Sequence, residues 1–356
     1  MKIIDKYIFK KIIPMFFLLL ISSTFMMCLF DYLFNNRTSE TNLSLKQILY
    51  YYLLFSPFII KLILPTIAFI STILVVLKLS SRCEIVAYLS IGVRYKRFLK
   101  PFLIFGIFLF KILIVCEGWL FPMSKDLRYD FEKKYFGRNF REYDADIHIK
   151  WGEDQYLYIQ DFDIKNGIGS NVFIDEIKDN KLISRFTAKR MCFDYKTKKW
   201  TFYDCSKRFY KESKDIIEKK EKQDFENINI FPEDLVPNKG LIKKLNIIEL
   251  NKRLNRLKER GVDYKKLRIE QLSRIQTPLL VVVLIIMAVL LSSKRSRMGN
   301  TIQLIIGFII ASIFVFGSIL LEGFAAYGGK NIYVCLLGPA VCGIILNFFL
   351  YKKAQK

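Results

Sequence analysis

Residues 79–100 read LSSRCEIVAYLSIGVRYKRFLK, a cationic stretch set between two strongly apolar segments. Ser81-Arg82-Cys83-Glu84 has the Ser-x-x-Glu spacing of a capping box, which satisfies the first free amides of a helix. A helix over about 81–92 is expected, closed by Gly92 in the left-handed conformation. Val86, Leu89 and Val93 recur at helical spacing and make one side of the rod apolar. Arg94, Lys96, Arg97 and Lys100 then gather before Pro101. Below roughly 12–15 residues a helix is marginal by itself, so this one needs a surface to dock on. Two surfaces qualify. One is the lipid headgroups, with the helix as a re-entrant cap; the other is a cytoplasmic partner, with the helix carrying force into the membrane.

Outward from this loop the chain alternates between apolar blocks and charged connections. Six windows are long and apolar enough to cross a bilayer core of roughly 30 Å. They are Ile12–Phe30, Leu53–Leu77, Pro101–Phe121, Ile275–Leu291, Thr301–Leu321 and Ile332–Tyr351. Polar sequence fills the interval between the third and the fourth, which gives three spans, one large soluble domain, and three more spans. With 52% hydrophobic residues in such blocks, an ordinary soluble enzyme is excluded. No small-x-small cleavage site follows the first apolar run, and Cys28 sits in a poor lipobox, so that run is read as a retained span.

The formal net charge of +23 suggests nucleic acid until it is mapped. Lys2, Lys6, Lys10 and Lys11 precede the first span, and the cationic loop separates the second from the third. Lys294, Arg295 and Arg297 separate the fourth from the fifth, and Lys352, Lys353 and Lys356 follow the sixth. Short loops on the other side hold only Arg37, Lys46 and Lys330. By the positive-inside rule both termini and the 79–100 loop are cytoplasmic, and the large domain is external.

That domain reads as strands. Ile147, Ile149 and Trp151 alternate, Tyr156–Ile159 continues after a turn, and 171–177, 181–186, 191–195 and 200–203 follow between turn residues. Aromatic and β-branched residues at period two indicate an antiparallel sandwich or jelly roll. Residues 207–227 read as a charged loop or solvated edge strands. Asn246–Glu249 is a second capping box, heading a helix with an apolar stripe at Ile247, Leu250, Leu254 and Leu257. Cys192 and Cys205 are the two cysteines of the domain. A hairpin turning at Lys196–Lys199 sets Cys192 opposite Tyr203 and Cys205 diagonal to it, roughly 7–8 Å away, so no bridge is expected.

Catalytic groupings are scarce. His148 is the sole histidine, in a predicted strand, with no second ligand at metal spacing. There is no HExxH, no Gly-x-Ser-x-Gly and no phosphate loop, so ATP hydrolysis is expected on another chain. Within the spans, Lys61 stands near the external end of the second and Lys111 near the middle of the third, ahead of Glu117. Intramembrane lysines face a cavity, pair, or snorkel to the headgroups. Lys61 and Arg37 are candidate contacts to an anionic lipid.

Several stretches together resemble the LptF/LptG (YjgP/YjgQ) lipopolysaccharide export permeases, over essentially the whole chain. They are the opening Asp5-Lys6-Tyr7-Ile8, Leu64-Pro65, SRCEIVAYLSIG at 81–92, Glu117-Gly-Trp119-Leu-Phe-Pro122, Tyr156–Ile159, Glu249-Leu250 through Gly261 to Pro278, and Arg295–Gly299. The resemblance implies an α-helical inner-membrane protein with six transmembrane helices (3+3) and an inserted external β jelly roll. Spans 1–3 and the coupling helix would fill 1–122, the β domain 123–245, and connecting helices with spans 4–6 would fill 246–356. It further implies pairing with a second permease and a separate cytoplasmic ATPase carrying ATP and Mg, with no cofactor in this chain. Lipopolysaccharide would pass to periplasmic jelly-roll bridge proteins. By position, the ATPase-coupling residues would be Ser81, Arg82, Glu84, Val86, Leu89 and Gly92, with Glu84 matching the family's acidic coupling residue. The chain departs from the family in having Asp31 after the first span, where basic residues are common. A competing class is a signalling membrane protein with a ligand-binding external domain and no lipid cargo; neighbouring genes for an ATPase and bridge proteins would discriminate.

Overall fold

In a computed structural model the described residues are all but 1–2, 35–42, 137–142, 151–153, 164–165, 179–180, 195–196, 198, 211–215, 226–230, 236–241, 260–263, 294–299, 328–330 and 356. The chain divides into two compact units, Met1–Phe136 with Ile269–Lys356, and Gly137–Arg268. These boundaries differ from 122 and 245 because the helix after Pro122 stays with the first unit and the Asn246-capped helix stays with the second.

The first unit is helical: α1 (Ile3–Phe34), α2 (Leu45–Ser81), α3 (Glu84–Ser90), α4 (Tyr95–Val115), a π-turn at Cys116–Leu120 and α5 (Phe121–Phe136). It resumes with α8 (Lys265–Ser292), α9 (Asn300–Ala326) and α10 (Ile332–Gln355). Six of the helices are long and apolar enough to cross a membrane, matching the six windows. Most of α2 and α8 is buried, whereas α1 and α9 keep most of their apolar surface outward. One core gathers Ile12 and Phe16 of α1, Val76 of α2, Ile85 of α3, Phe102 and Phe105 of α4, and Val281 and Ile285 of α8. A second packs Phe69 and Ile73 of α2 on Leu284 and Met287 of α8 and Ala311 of α9.

The second unit holds β1 (Tyr143–Lys150), β2 (Gln155–Asp163), β3 (Ile168–Lys178), β4 (Lys181–Asp194), β5 (Lys199–Phe209) and β6 (Ile216–Phe225). The short α6 (Pro232–Leu235) and α7 (Ile247–Glu259) follow. The inserted antiparallel β domain is present, with the charged 207–227 region supplying the edge strand β6. Its order is a meander, β1-β2-β3-β4-β5-β6, where a jelly roll would interleave strands distant in sequence. How one sheet builds a core follows from its register. In all five strand pairs the ladder skips one level, at Asp146, Gln160, Asn171, Lys189, Asp204 and Glu221, and resumes in the same register beyond it.

At that level the burial alternation changes phase. On β2 the buried residues are Leu157 and Ile159, then Phe162; on β4 they are Phe186 and Ala188, then Met191 and Phe193. An unpaired residue bends its strand, and six in line crease the sheet so that the same face stays inside on both limbs. Asn171 and Asp204 take positive φ of 50° and 53° at the crease. The crease residues bond one another through side chains: Asn171 Nδ2 donates to Gln160 Oε1 at 2.9 Å, and Lys189 reaches Asp204 at 3.7 Å. Both limbs feed one core, capped by Phe231 and Leu235.

Gly169 stands beside the crease, where a Cβ would lie 2.7 Å from Met191 Cγ and 3.2 Å from Ile159 Cγ2. Gly169→Val should therefore overpack the core and destabilise this unit by about 1–3 kcal/mol. Limited proteolysis of the purified chain should cut the β domain of the variant faster; unchanged cutting would refute the close approach.

The cysteine register differs from expectation. Cys192 pairs with Thr201 and Cys205 with Ala188, two rungs and a crease apart, and all seven cysteines are free. Cys205 points into the core while Cys192 alternates with buried Met191 and Phe193, so the two sulfurs lie on opposite faces. The Asn246 capping box forms as read: Glu249 N donates to Asn246 Oδ1 at 2.9 Å, and Asn246 N donates to Glu249 Oε2 at 3.2 Å. The α7 stripe of Leu250, Leu254 and Leu257 is buried with Ile242 and Leu267.

Candidate functional site

The loop between the second and third spans is built around Glu84. α2 continues through Ser81, whose hydroxyl donates to the Lys78 carbonyl at 3.1 Å, and Arg82 caps that helix. The chain then turns through Cys83 at a left-handed φ of 61° and starts α3 at Glu84. The expected Ser81–Glu84 capping box therefore does not form. Its carboxylate is engaged elsewhere: Tyr7 donates its hydroxyl to Glu84 Oε2 at 2.9 Å, and Lys11 Nζ lies 3.3 Å from the same atom. Lys11 also donates to the Tyr7 hydroxyl, and its ammonium sits 4.0 Å from the centroid of that ring. Nearby, Arg97 Nη2 donates to Asp5 Oδ2 at 2.6 Å. Both ties fasten α1 to the cationic loop.

α3 ends as expected, with Gly92 at φ +84° and its amide donating to the Leu89 carbonyl at 3.0 Å. Its docking face is shifted from the expected Val86–Leu89–Val93 stripe. Ile85 is buried and Tyr88 packs against Phe98, while Val86, Leu89 and Ile91 are exposed. A short helix seated on the bundle by one apolar side thus presents a second apolar side outward.

Deeper in the same unit lies a second constellation. Lys61 Nζ donates to Glu117 Oε2 at 2.6 Å. Glu117 sits in the π-turn, only 2% exposed, whereas the Lys61 side chain is 33% exposed. A π-turn widens the helix by one residue and redirects the side chains it carries, a device concentrated at functional sites. On α8, Arg274 Nε donates to Glu270 Oε1 at 3.2 Å, with both side chains buried. Glu270 and Arg274 lie within electrostatic reach of Glu117. Arg274 Nη1 and Nη2 and Glu117 Oε1 are buried without a hydrogen-bond partner among the described residues. Such unmet atoms are costly unless water, a ligand or a second conformation meets them.

The fates of the other intramembrane candidates follow. Lys61 pairs inside the bundle, and Arg37 lies outside the described residues. Lys111 does not pair with Glu117; it is exposed on α4 between exposed Ile107, Phe108 and Ile112. Sequence reasoning missed Tyr7, Lys11, Glu270 and Arg274 as partners. The visible signals were the i, i+4 spacing of Tyr7 with Lys11 and of Glu270 with Arg274, each on one helix face.

The family profile described as "Lipopolysaccharide export system permease LptF/LptG" matches residues 6–353. Comparison with curated proteins found no match.

Proposed function

Because the chain belongs to the LptF/LptG family of lipopolysaccharide export permeases, and is thus a multi-pass inner-membrane transporter subunit, we propose that it is one half of an exporter driven by a separate ATPase. The observation that carries this reading is α3. Val86 and Leu89, with Ile91 just past the C-terminus, are exposed apolar side chains on a short helix whose first residue is bonded to α1. An exposed apolar patch in a cationic loop is a docking site, and the ATPase binding ATP and Mg is its partner. Movement of α3 reaches α1 directly through Glu84, Tyr7 and Lys11.

A second permease chain covers the outward faces of α1 and α9. Exposed Lys111 on α4 points to cover on that helix as well, since a lysine facing lipid near mid-membrane costs about 2.5–3.5 kcal/mol on insertion scales. A partner carboxylate or a watery cavity between two chains removes that cost. Arg37 contacts the phosphates of the lipid cargo, Lys61 joins it by exchanging Glu117 for phosphate, and the β domain hands the lipid to periplasmic bridge proteins. Both termini and α3 are cytoplasmic in this reading, which the lysine distribution supports.

Orientation is tested by labelling single cysteines with a membrane-impermeant maleimide, in a chain whose seven native cysteines have been replaced. Cysteine at Arg94 should react only in inverted vesicles and cysteine at Lys220 only from outside. Reaction of both from one side would overturn the six-span orientation.

A further inference from the structure

The outward face of one limb of the β sheet carries an arrangement that neither folding nor lipid passage requires. His148, Tyr158 and Phe173 are successive rungs on β1, β2 and β3, with ring centroids 4.6 and 5.6 Å apart. The next row holds Tyr156, Asp175 and Arg185, paired across β2, β3 and β4. Together these residues and Leu157 line a cavity of about 600 Å³. The core lies on the opposite face, at Ile159, Val172, Ile174 and Phe186, so the platform is not a core by-product. Solvent faces of antiparallel strands are ordinarily polar. Here His148 and Tyr156 are exposed, and Tyr158 and Phe173 are half-buried.

The polar side of the cavity is rigid and neutral. Arg185 donates from Nε to Asp175 Oδ1 at 2.6 Å and from Nη2 to Asp175 Oδ2 at 2.8 Å, a two-pronged planar pair. The guanidinium also lies 6.0 Å from the Phe173 ring centroid. Its Nη1 is left uncommitted among the described residues, and the carboxylate oxygens keep lone pairs beside it. Since Asp175 neutralises Arg185, an isolated phosphate gains little there. A ligand with an apolar face and several hydroxyls gains from both sides: C–H groups on the aromatic rings, hydroxyls on Nη1, the carboxylate and the imidazole. A pyranose ring has that chemistry.

We propose that this cavity is a carbohydrate subsite that holds a sugar ring of the glycolipid's oligosaccharide at the surface of the external domain. The assignment of the sugar to the cargo rests on the export reading; the sugar-binding chemistry does not. Its place opposite the core lets the saccharide ride outside while acyl chains remain apart from it.

The test is calorimetric titration of the full chain in nanodiscs with phosphate-free, deacylated core oligosaccharide, with a soluble peptidoglycan disaccharide as the second arm. The core oligosaccharide should bind saturably with a Kd on the order of millimolar. Tyr158→Ala should weaken binding about tenfold, Tyr158→Phe should retain it, and His148→Ala, at an exposed position, should also weaken it. Absence of binding, or equal affinity in Tyr158→Ala, would overturn the subsite. Tighter binding of the peptidoglycan disaccharide would overturn its assignment to the cargo. Intact lipopolysaccharide co-purifying with every variant keeps the export reading separate; its absence from the wild type would count against that reading alone.

Discussion

Replacing Lys61 with alanine should destabilise the helical unit more than replacing its partner Glu117. The pair is 2.6 Å long but asymmetric in exposure, 33% for the lysine and 2% for the glutamate. Lys61→Ala leaves a buried carboxylate whose second oxygen already lacks a partner among the described residues. Removing one member of a buried pair costs about 3–5 kcal/mol. Glu117→Ala leaves a lysine that can swing toward water, so the loss should fall between exposed and buried pairs, on the order of 1–2 kcal/mol. The double variant should recover much of the Lys61→Ala loss, because neither charge then remains uncompensated. Lys61→Arg should retain both stability and export. Thermal unfolding of detergent-purified protein, read by aggregation or fluorescence, checks the order. Equal losses in the two single variants would contradict the asymmetry, and no recovery in the double would show that the pair contributes little.

The second large effect is at Glu84. Glu84→Ala removes the acceptor of both Tyr7 and Lys11 and should leave insertion intact, since the carboxylate is partly exposed and not part of a capping box. Export should fall at least tenfold while membrane abundance is unchanged. Glu84→Gln keeps the Tyr7 hydrogen bond and loses the ion pair, so it should retain part of the function. Tyr7→Phe with Lys11→Met should reproduce the Glu84→Ala loss if α1 is the receiver of the motion. Normal export in that double variant, with loss in Glu84→Ala, would place the role of Glu84 wholly with the ATPase.

The sequence made the spans legible because a bilayer demands long apolar windows, and a window of that length has few other uses. The existence of the β domain was legible from period-two alternation, and Asn246–Glu249 from local spacing alone. The crease was not, because the phase of alternation changes on each strand at one level. Taking Lys196–Lys199 as the turn pairs Tyr195 with Trp200 and hence Cys192 with Tyr203, whereas the strands close with Asp194 opposite Lys199, which sets Cys192 opposite Thr201. The Ser81 box failed for a related reason. Local spacing describes what Glu84 can do by itself, whereas Tyr7 and Lys11, some 75 residues earlier, compete for the same oxygens at 2.9 and 3.3 Å. Lys61 and Glu117 were each conspicuous in the sequence, but only tertiary packing chose between Lys61 and Lys111 as the partner.

On the proposed reading, α3 receives the ATPase through its outward apolar side. Photo-cross-linking from Val86 in intact cells tests it most directly, with the adduct identified by mass spectrometry and Ile85, which faces the bundle, as the internal comparison. An adduct to an ABC-type ATPase is expected from Val86 and none from Ile85. Adducts from Val86 to lipid alone would contradict it and return α3 to a cap on the headgroups.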